Sequence, residues 1–159
     1  MQQLTFSSPV GNITLKGDEN FIYSILFYDK ELPEESPDNS LLQKAKIQLE
    51  EYFTGKRKTF ELPLKLIGSD FQKRVWTELQ RIPFGDTSSY LQLARKLGDE
   101  TVIRAAASAN GKNPFAIVVP CHRVIGSDGS LVGYAGGLWR KQWLLDHEQK
   151  VLGKYQKLF

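Results

Sequence analysis

The chain opens on alternation. LTFSSPVGNITLKGDENFIYSILFYD carries β-rich apolar runs broken by turn signals at Pro9-Val10-Gly11-Asn12 and Gly17-Asp18, so short strands joined by tight turns are expected. The polar, proline-bearing segment ELPEESPDNS reads as a loop, with Ser40 as the expected cap of a helix over LLQKAKIQLEEYFTG. Leu41, Ala45, Leu49 and Phe53 fall on one face of that helix, and Gly55 stops it. Pro63 and Gly68 bracket a linker, KTFELPLKLIGS.

Past the linker the period becomes helical. Ser69-Asp70-Phe71-Gln72 has the form of a capping box, and Phe71, Val75, Leu79 and Ile82 make one apolar stripe that Pro83-Phe84-Gly85 ends. Ser88 or Ser89 caps a short helix through YLQLARKLG; the turn Gly98-Asp99-Glu100 and a further helix, TVIRAAASANG, follow. Two short helices across a glycine-containing turn have the helix-turn-helix pattern, which many other helical corners share. FAIVVP reads as a buried strand, and HRVIGSDGSLVGY as a hairpin around Asp128-Gly129, placed where a wing would stand. The last segment, GLWRKQWLLDHEQKVLG, is amphipathic, with Trp139, Trp143, Leu144 and Val151 expected inward.

Composition narrows the class. A chain of 159 residues makes one domain or two small ones, and 41% apolar with 25% charged residues excludes a mainly disordered or fibrous protein. The longest uncharged apolar runs, 21–28 and 115–120, are far short of the roughly 20 residues that span a membrane. The N-terminus lacks the basic and then apolar blocks of a secretory signal, so the cytoplasm is the expected compartment. The net charge of +3 is unevenly shared: up to Ile67 there are 8 Lys/Arg against 10 Asp/Glu, and from Gly68 onward 13 against 8. Any attraction for a polyanion therefore resides in the C-terminal part.

Candidate chemistry centres on one sulfur. The single Cys121 excludes an internal disulfide and a multi-thiolate metal site, and with only His122 and His147 beside it no structural zinc is expected. A free thiol is mostly protonated at neutral pH, so a nucleophilic Cys121 needs a base. His122 can take the proton, and Glu148, or else Asp146, can hold the imidazole in the required tautomer. Adjacent side chains often point apart, which favours a relay through one water over direct contact. The bland alternative is a small core cysteine with an incidental histidine neighbour.

The helix TVIRAAASANG allows two readings as well. Its run of small residues, Ala105 to Ala109, cannot make bidentate contacts to base edges, but it can approach a groove closely with Arg104 projecting alone. It can equally be a small-residue helix packed inside the protein.

The wider string NPFAIVVPCHRVIGSDGSLVGYAGG, with FGDTSSY before it and WLLDHE after it, closely resembles the O6-alkylguanine-DNA alkyltransferases. The motif-level likeness spans about residues 68–150 and extends more loosely to the N-terminal strands. It implies a mixed α/β (α+β) architecture: a ribonuclease H-like sheet-plus-helix domain with its linker over 1–67, then a mainly helical winged helix-turn-helix domain over 68–159. By position, the resemblance makes Cys121 the alkyl acceptor, His122 its base and Glu148 the orienting carboxylate. Asn113 would brace the turn beneath the site, and Tyr90 would give its hydroxyl proton to the flipped base. Arg104 would fill the gap left in the duplex, and Tyr134 would wall the pocket. The backbone carbonyls of Cys121 and Val124 would receive the guanine amino group, the backbone of Ala135 would face O6, and Ser127 and Gln72 would touch phosphates. Arg123 and His147 are read as structural. Two positions depart from the common pattern: Ala135 where some members carry Ser, and Ala107 where Gly is frequent.

The implied function is stoichiometric repair of O6-alkylguanine, and of O4-alkylthymine, in double-stranded DNA, by a monomer that uses no cofactor and no membrane. Such a protein works in the cytoplasm at the nucleoid, or in the nucleus of a eukaryote. The rival readings are a non-catalytic winged-helix regulator or damage sensor, and a Cys-His hydrolase.

Overall fold

Three strands arise from the opening alternation: β1 (Gln2–Phe6), β2 (Asn12–Gly17) and β3 (Ile22–Tyr28) form an antiparallel meander in the order β1-β2-β3. Its register pairs Leu4 with Leu15, Phe6 with Ile13, and Leu15 with Ile25, which stacks the apolar positions of neighbouring strands on one face. Helix α1 (Ser40–Phe53) turns Leu42, Ala45, Leu49 and Tyr52 into the core. The computed structural model describes residues 1–33 and 37–154, so part of the polar loop expected at 31–40 lies outside the described residues.

Two details of this helix differ from expectation. Asn39, not Ser40, is the cap: its Oδ1 accepts from the Leu42 N–H at 2.9 Å, while its amide donates to Gln2 Oε1 and to Asp18 O. The buried stripe is accordingly rotated toward Leu42 and Tyr52, leaving Leu41 and Phe53 only half-buried.

The outer edge of β3 is closed by two isolated parallel bridges, Ile22 to Leu64 and Ile25 to Phe115. Ile25 donates to Pro114 O at 2.8 Å and accepts from the Ala116 N–H at 2.9 Å. The expected strand FAIVVP is therefore one bridge followed by a turn, in which Ile117 adopts the left-handed φ of 72°. Phe115, Ile117 and Val119 are apolar because they are buried, and a short buried run looks the same whether or not it is a strand. Segment Pro114–Val118 thus packs with Met1–Ile67 as one compact unit. The other unit comprises Gly68–Asn113 and the chain from Val119 onward.

That second unit is helical. Helix α2 (Asp70–Leu79) starts at a capping box formed by Ser69 and Gln72, and α3 (Tyr90–Lys96) starts at a second box formed by Ser89 and Gln92. A 3-10 turn (Glu100–Val102) leads into α4 (Ile103–Gly111). Buried Trp76 satisfies its indole N–H on Ala109 O at 2.9 Å, tying α2 to α4. A second 3-10 turn (Cys121–Arg123) leads into β5 (Val124–Ile125), which pairs in parallel with β4 (Ser88–Ser89), and α5 (Leu138–Val151) closes the unit.

The expected wing hairpin does not form. Gly126 N–H bonds to Ser130 O, and the Asp128 carboxylate accepts from both the backbone and the hydroxyl of Ser130, making a closed turn. Beyond it, Val132 O and Gly133 O accept hydrogen bonds from side chains instead of from a partner strand. Trp139 is also misplaced by the sequence reading: it is 56% exposed, with the Arg140 guanidinium 4.8 Å from its ring. Trp143 is half-buried and stacks on His147.

Candidate active site

Helix α5 buries its polar side chains. Arg140 and Lys141 stand four and three residues before Leu144 and Glu148 four after it, so these residues share the inner face, and all are buried. Charges taken out of water cost several kcal/mol each unless they are paired and hydrogen-bonded, so the partners of these residues define the site.

Glu148 is the centre. Its Oε2 lies 2.6 Å from His122 Nε2 and 3.1 Å from Arg123 Nη2. Its Oε1 accepts from Arg123 Nε at 2.8 Å and from the Gly85 N–H at 2.9 Å. Burial opposes ionisation, but the His122 hydrogen bond and the Arg123 guanidinium outweigh it and hold this carboxyl far below the usual range. The Gly85 contact depends on its left-handed φ of 84° and on its lack of a side chain, because a Cβ there would overlap Leu152. Asp146, the other carboxylate considered, accepts from Gln142 instead.

An ionised Glu148 can only accept, so His122 Nε2 carries the proton and Nδ1 presents its lone pair. Burial pushes the imidazole below the ordinary histidine value, more than Glu148 raises it, which keeps it neutral. Nδ1 is buried and has no hydrogen-bond partner among the described residues. Arg123, read as structural from sequence, completes the cluster by donating to Ile82 O at 2.7 Å.

Cys121 shares the 3-10 turn with His122 and Arg123 and is 7% exposed. Burial raises its thiol, while a hydrogen bond from Asn113 and the charge of Lys141 lower it in part. The net direction is upward, so the resting group is a thiol. Asn113 also donates to Val119 O at 2.7 Å, bracing the chain two residues before the cysteine.

Lys141 was missed by the sequence reading. It is fully buried, and its Nζ donates to Val124 O at 2.6 Å and to Val132 O and Gly133 O at 3.2 Å. Burial lowers its pKa, and the nearby sulfur opposes the shift. The signal was available: Lys141 stands seven residues before Glu148, two helical turns up the same face. Tyr90 donates to Val132 O at 3.1 Å, and its phenol is raised by burial and then by Cys121. Tyr134 is raised further, for the same two reasons in the same order. The structure therefore gathers Cys121, His122, Glu148, Asn113, Tyr90 and Tyr134 into one neighbourhood.

The remaining expected residues lie differently. Val124 O already accepts from Lys141, and Cys121 O from the Val124 N–H, so each carbonyl keeps one further lone pair. Arg104, Ala105, Ser108 and Lys112 are exposed along one side of α4, while Ala106, Ala109 and Asn110 are buried on the other. The packed reading thus accounts for the inner side of that helix, while its outer side is open to solvent. Ser127 and Ala135 are exposed, and Gln72 Oε1 accepts the Ser69 N–H at 3.0 Å. Among the described residues, no group of three or more His, Cys, Asp or Glu is placed to hold a metal ion, and no helix is long and apolar enough to cross a membrane.

Comparison with known proteins places this geometry. Residues 70–150 match the family model of the 6-O-methylguanine DNA methyltransferase DNA binding domain, and residues 2–66 that of the same family's ribonuclease-like domain. A methylated-DNA–protein-cysteine methyltransferase of Methanosarcina acetivorans is 42% identical over 153 residues, covering 93% of this chain and 98% of that protein. One from Mycobacterium bovis is 42% identical over 149 residues, 91% of this chain and 90% of the relative. Among solved structures, Mycobacterium tuberculosis OGT in complex with DNA superimposes with a TM-score of 0.87 at 41% identity, covering 95% of this chain and 94% of that one.

The buried cluster makes stability pH-dependent with a definite sign. His122 and Glu148 both have folded pKa values below their unfolded ones, so the unfolded chain binds more protons and stability falls as pH falls. Denaturant melts should show stability declining below about pH 6.5 and declining again below about 4.3, the ordinary His and Glu values. In His122→Gln the first limb should vanish. A first limb of unchanged size in that variant would contradict a neutral buried His122.

Proposed function

The chain belongs to the 6-O-methylguanine DNA methyltransferase family, and from that premise we propose that it repairs O6-alkylguanine in double-stranded DNA by moving the alkyl group to Cys121. The observation that carries the reading is the Glu148-His122 pair beside a buried protonated thiol. A neutral imidazole with its Nδ1 lone pair available is the base such a thiol requires.

The steps balance as follows. The thiol proton passes to His122 Nδ1 through a bridging water, and the imidazolium is stabilised by Glu148. The sulfur attacks the alkyl carbon in line with the O6–carbon bond; the S–C bond forms as the O6–C bond breaks, and the electron pair leaves on the guanine oxygen. Tyr90, held protonated by burial, gives its proton to the departing base. Imidazolium and phenolate then neutralise each other through solvent. The Lys141 charge supports the transient thiolate, and its grip on Val124, Val132 and Gly133 holds the loop that carries Tyr134.

The product is a thioether, whose stable C–S bond nothing in the site cleaves, so each molecule acts once. The target base must leave the stack, at a cost of a few kcal/mol that is smallest for a weakened pair. Arg104 on the exposed side of α4 fills the vacated position, Tyr134 walls the pocket, and the Cys121 and Val124 carbonyls and the Ala135 backbone meet the base. Ser127 and Gln72 touch phosphates. O4-alkylthymine follows the same route. The protein acts as a monomer, in the cytoplasm and at the nucleoid.

Two experiments test this. After incubation with duplex carrying O6-methylguanine, intact mass should rise by one methylene, on the peptide containing Cys121, and Cys121→Ser should bind DNA without that gain. A labelled Cys121→Ser protein would end the nucleophile assignment, and catalytic turnover would favour a hydrolase. For Arg104→Ala, the saturated rate on duplex should drop sharply while the reaction with free O6-benzylguanine changes little. Equal losses on both substrates would mean that Arg104 supports the fold and not the flipped state.

A further inference from the structure

Two consecutive residues of α5 bond to the same glycine. Gly85 gives its N–H to Glu148 Oε1 at 2.9 Å, and its carbonyl accepts from Gln149 Nε2 at 2.6 Å. Neighbouring helical side chains project about 100° apart, so both reach Gly85 only because it presents its two backbone groups to α5 together. A carbonyl can only accept, which fixes the Gln149 amide with its nitrogen toward the turn. Immobilising a half-buried glutamine costs rotamer freedom of the same order as one such hydrogen bond returns, so the contact contributes little net stability.

What the contact does is hold a turn. Gly85 is the third residue of the turn Pro83–Asp86, closed by the Asp86 N–H on Pro83 O at 3.0 Å, and its φ of 84° is what a type II turn requires there. Glycine has the most permissive backbone, so the turn alone does not aim the Gly85 N–H at a carboxylate. Ahead of it the chain is anchored where Arg123 bonds Ile82 O at 2.7 Å. Behind it, Gln149 supplies the anchor before β4 begins at Ser88. The N–H that Glu148 receives is therefore bracketed by one fixed point on each side.

We propose that Gln149 is a positioning residue for the base. By pinning Gly85 O to α5 it delivers the Gly85 N–H to Glu148 Oε1, which Arg123 Nε also occupies, and so leaves Oε2 set toward His122 Nε2 at 2.6 Å. A carboxylate that loses one of these donors can rotate, which weakens the bond that selects the Nε2–H tautomer. A ring with its proton on Nδ1 cannot take the thiol proton there. The inference rests on the reading of His122 as the base.

The test joins rate to tautomer. Gln149→Leu, which keeps the bulk without a donor, should slow single-turnover transfer about three- to tenfold, the worth of one hydrogen bond. The loss should be equal on O6-methylguanine duplex and on free O6-benzylguanine, with DNA affinity unchanged. Nitrogen-15 shifts of the His122 ring in the folded variant should show an Nδ1–H population that the parent lacks. Gln149→Lys, whose ammonium can still donate to Gly85 O, should recover most of the rate and the single tautomer. Slowing with unchanged ring shifts, or an equal loss in Gln149→Lys, would make the contact merely structural and overturn the inference, as would a variant unchanged in both rate and shifts. A changed tautomer with an unchanged rate would instead remove His122 as the base, and the inference with it.

Discussion

A carboxylate buried in a helical unit must either be neutral or be surrounded by donors, and Glu148 is surrounded. Four donors from three residues converge on its two oxygens: the His122 ring, two guanidinium nitrogens of Arg123 and the Gly85 amide. The other features of the site depend on that arrangement. It holds the carboxylate charged, which sets the His122 tautomer, which in turn leaves a lone pair beside a thiol that cannot ionise unaided. It also ties together the turn before β4, the reactive 3-10 turn and α5, so one interaction serves both architecture and chemistry.

The second dependency is the charge of Lys141. A fully buried ammonium that bonds three carbonyls gathers two separate stretches of chain, at Val124 and at Val132–Gly133, around one point next to the cysteine. Its position explains why the segment after Asp128-Gly129 does not return as a strand: carbonyls that a hairpin ladder would use are held by Lys141 and Tyr90. The loop gains fixed geometry without a sheet. The exposed side of α4, bearing Arg104 and Lys112 among small residues, is left for a polyanion, while its inner side packs on Trp76.

Much of this was legible in the residues. The strand meander followed from alternation and turn signals, the Ser69 capping box from Ser-x-x-Gln spacing, and the Cys121-His122 pair from the chemistry a lone thiol requires, with the family resemblance choosing Glu148 over Asp146. Expectation failed where burial was paid for by polar contacts. Helix α5 was oriented by its tryptophans, yet its inner face is Arg140, Lys141, Leu144 and Glu148, because the partners that make those charges tolerable lie far away in sequence. The wing and the strand FAIVVP failed for a related reason, since apolar runs report burial and not backbone pairing. Gly85 carries no pattern at all: its positive φ and the neighbouring Leu152 define it.

The central claim is that Glu148 holds His122 neutral, protonated on Nε2 and with Nδ1 unprotonated. Nitrogen-15 chemical shifts of the His122 ring, followed in the unreacted protein from pH 8 down to pH 5.5, test it without any assay of repair. The account predicts one ring nitrogen of the N–H type, assigned to Nε2, and one bare nitrogen, assigned to Nδ1, with no titration across that range. An Nε2 that is bare, or a ring that protonates near the ordinary histidine value of about 6.5, would contradict it.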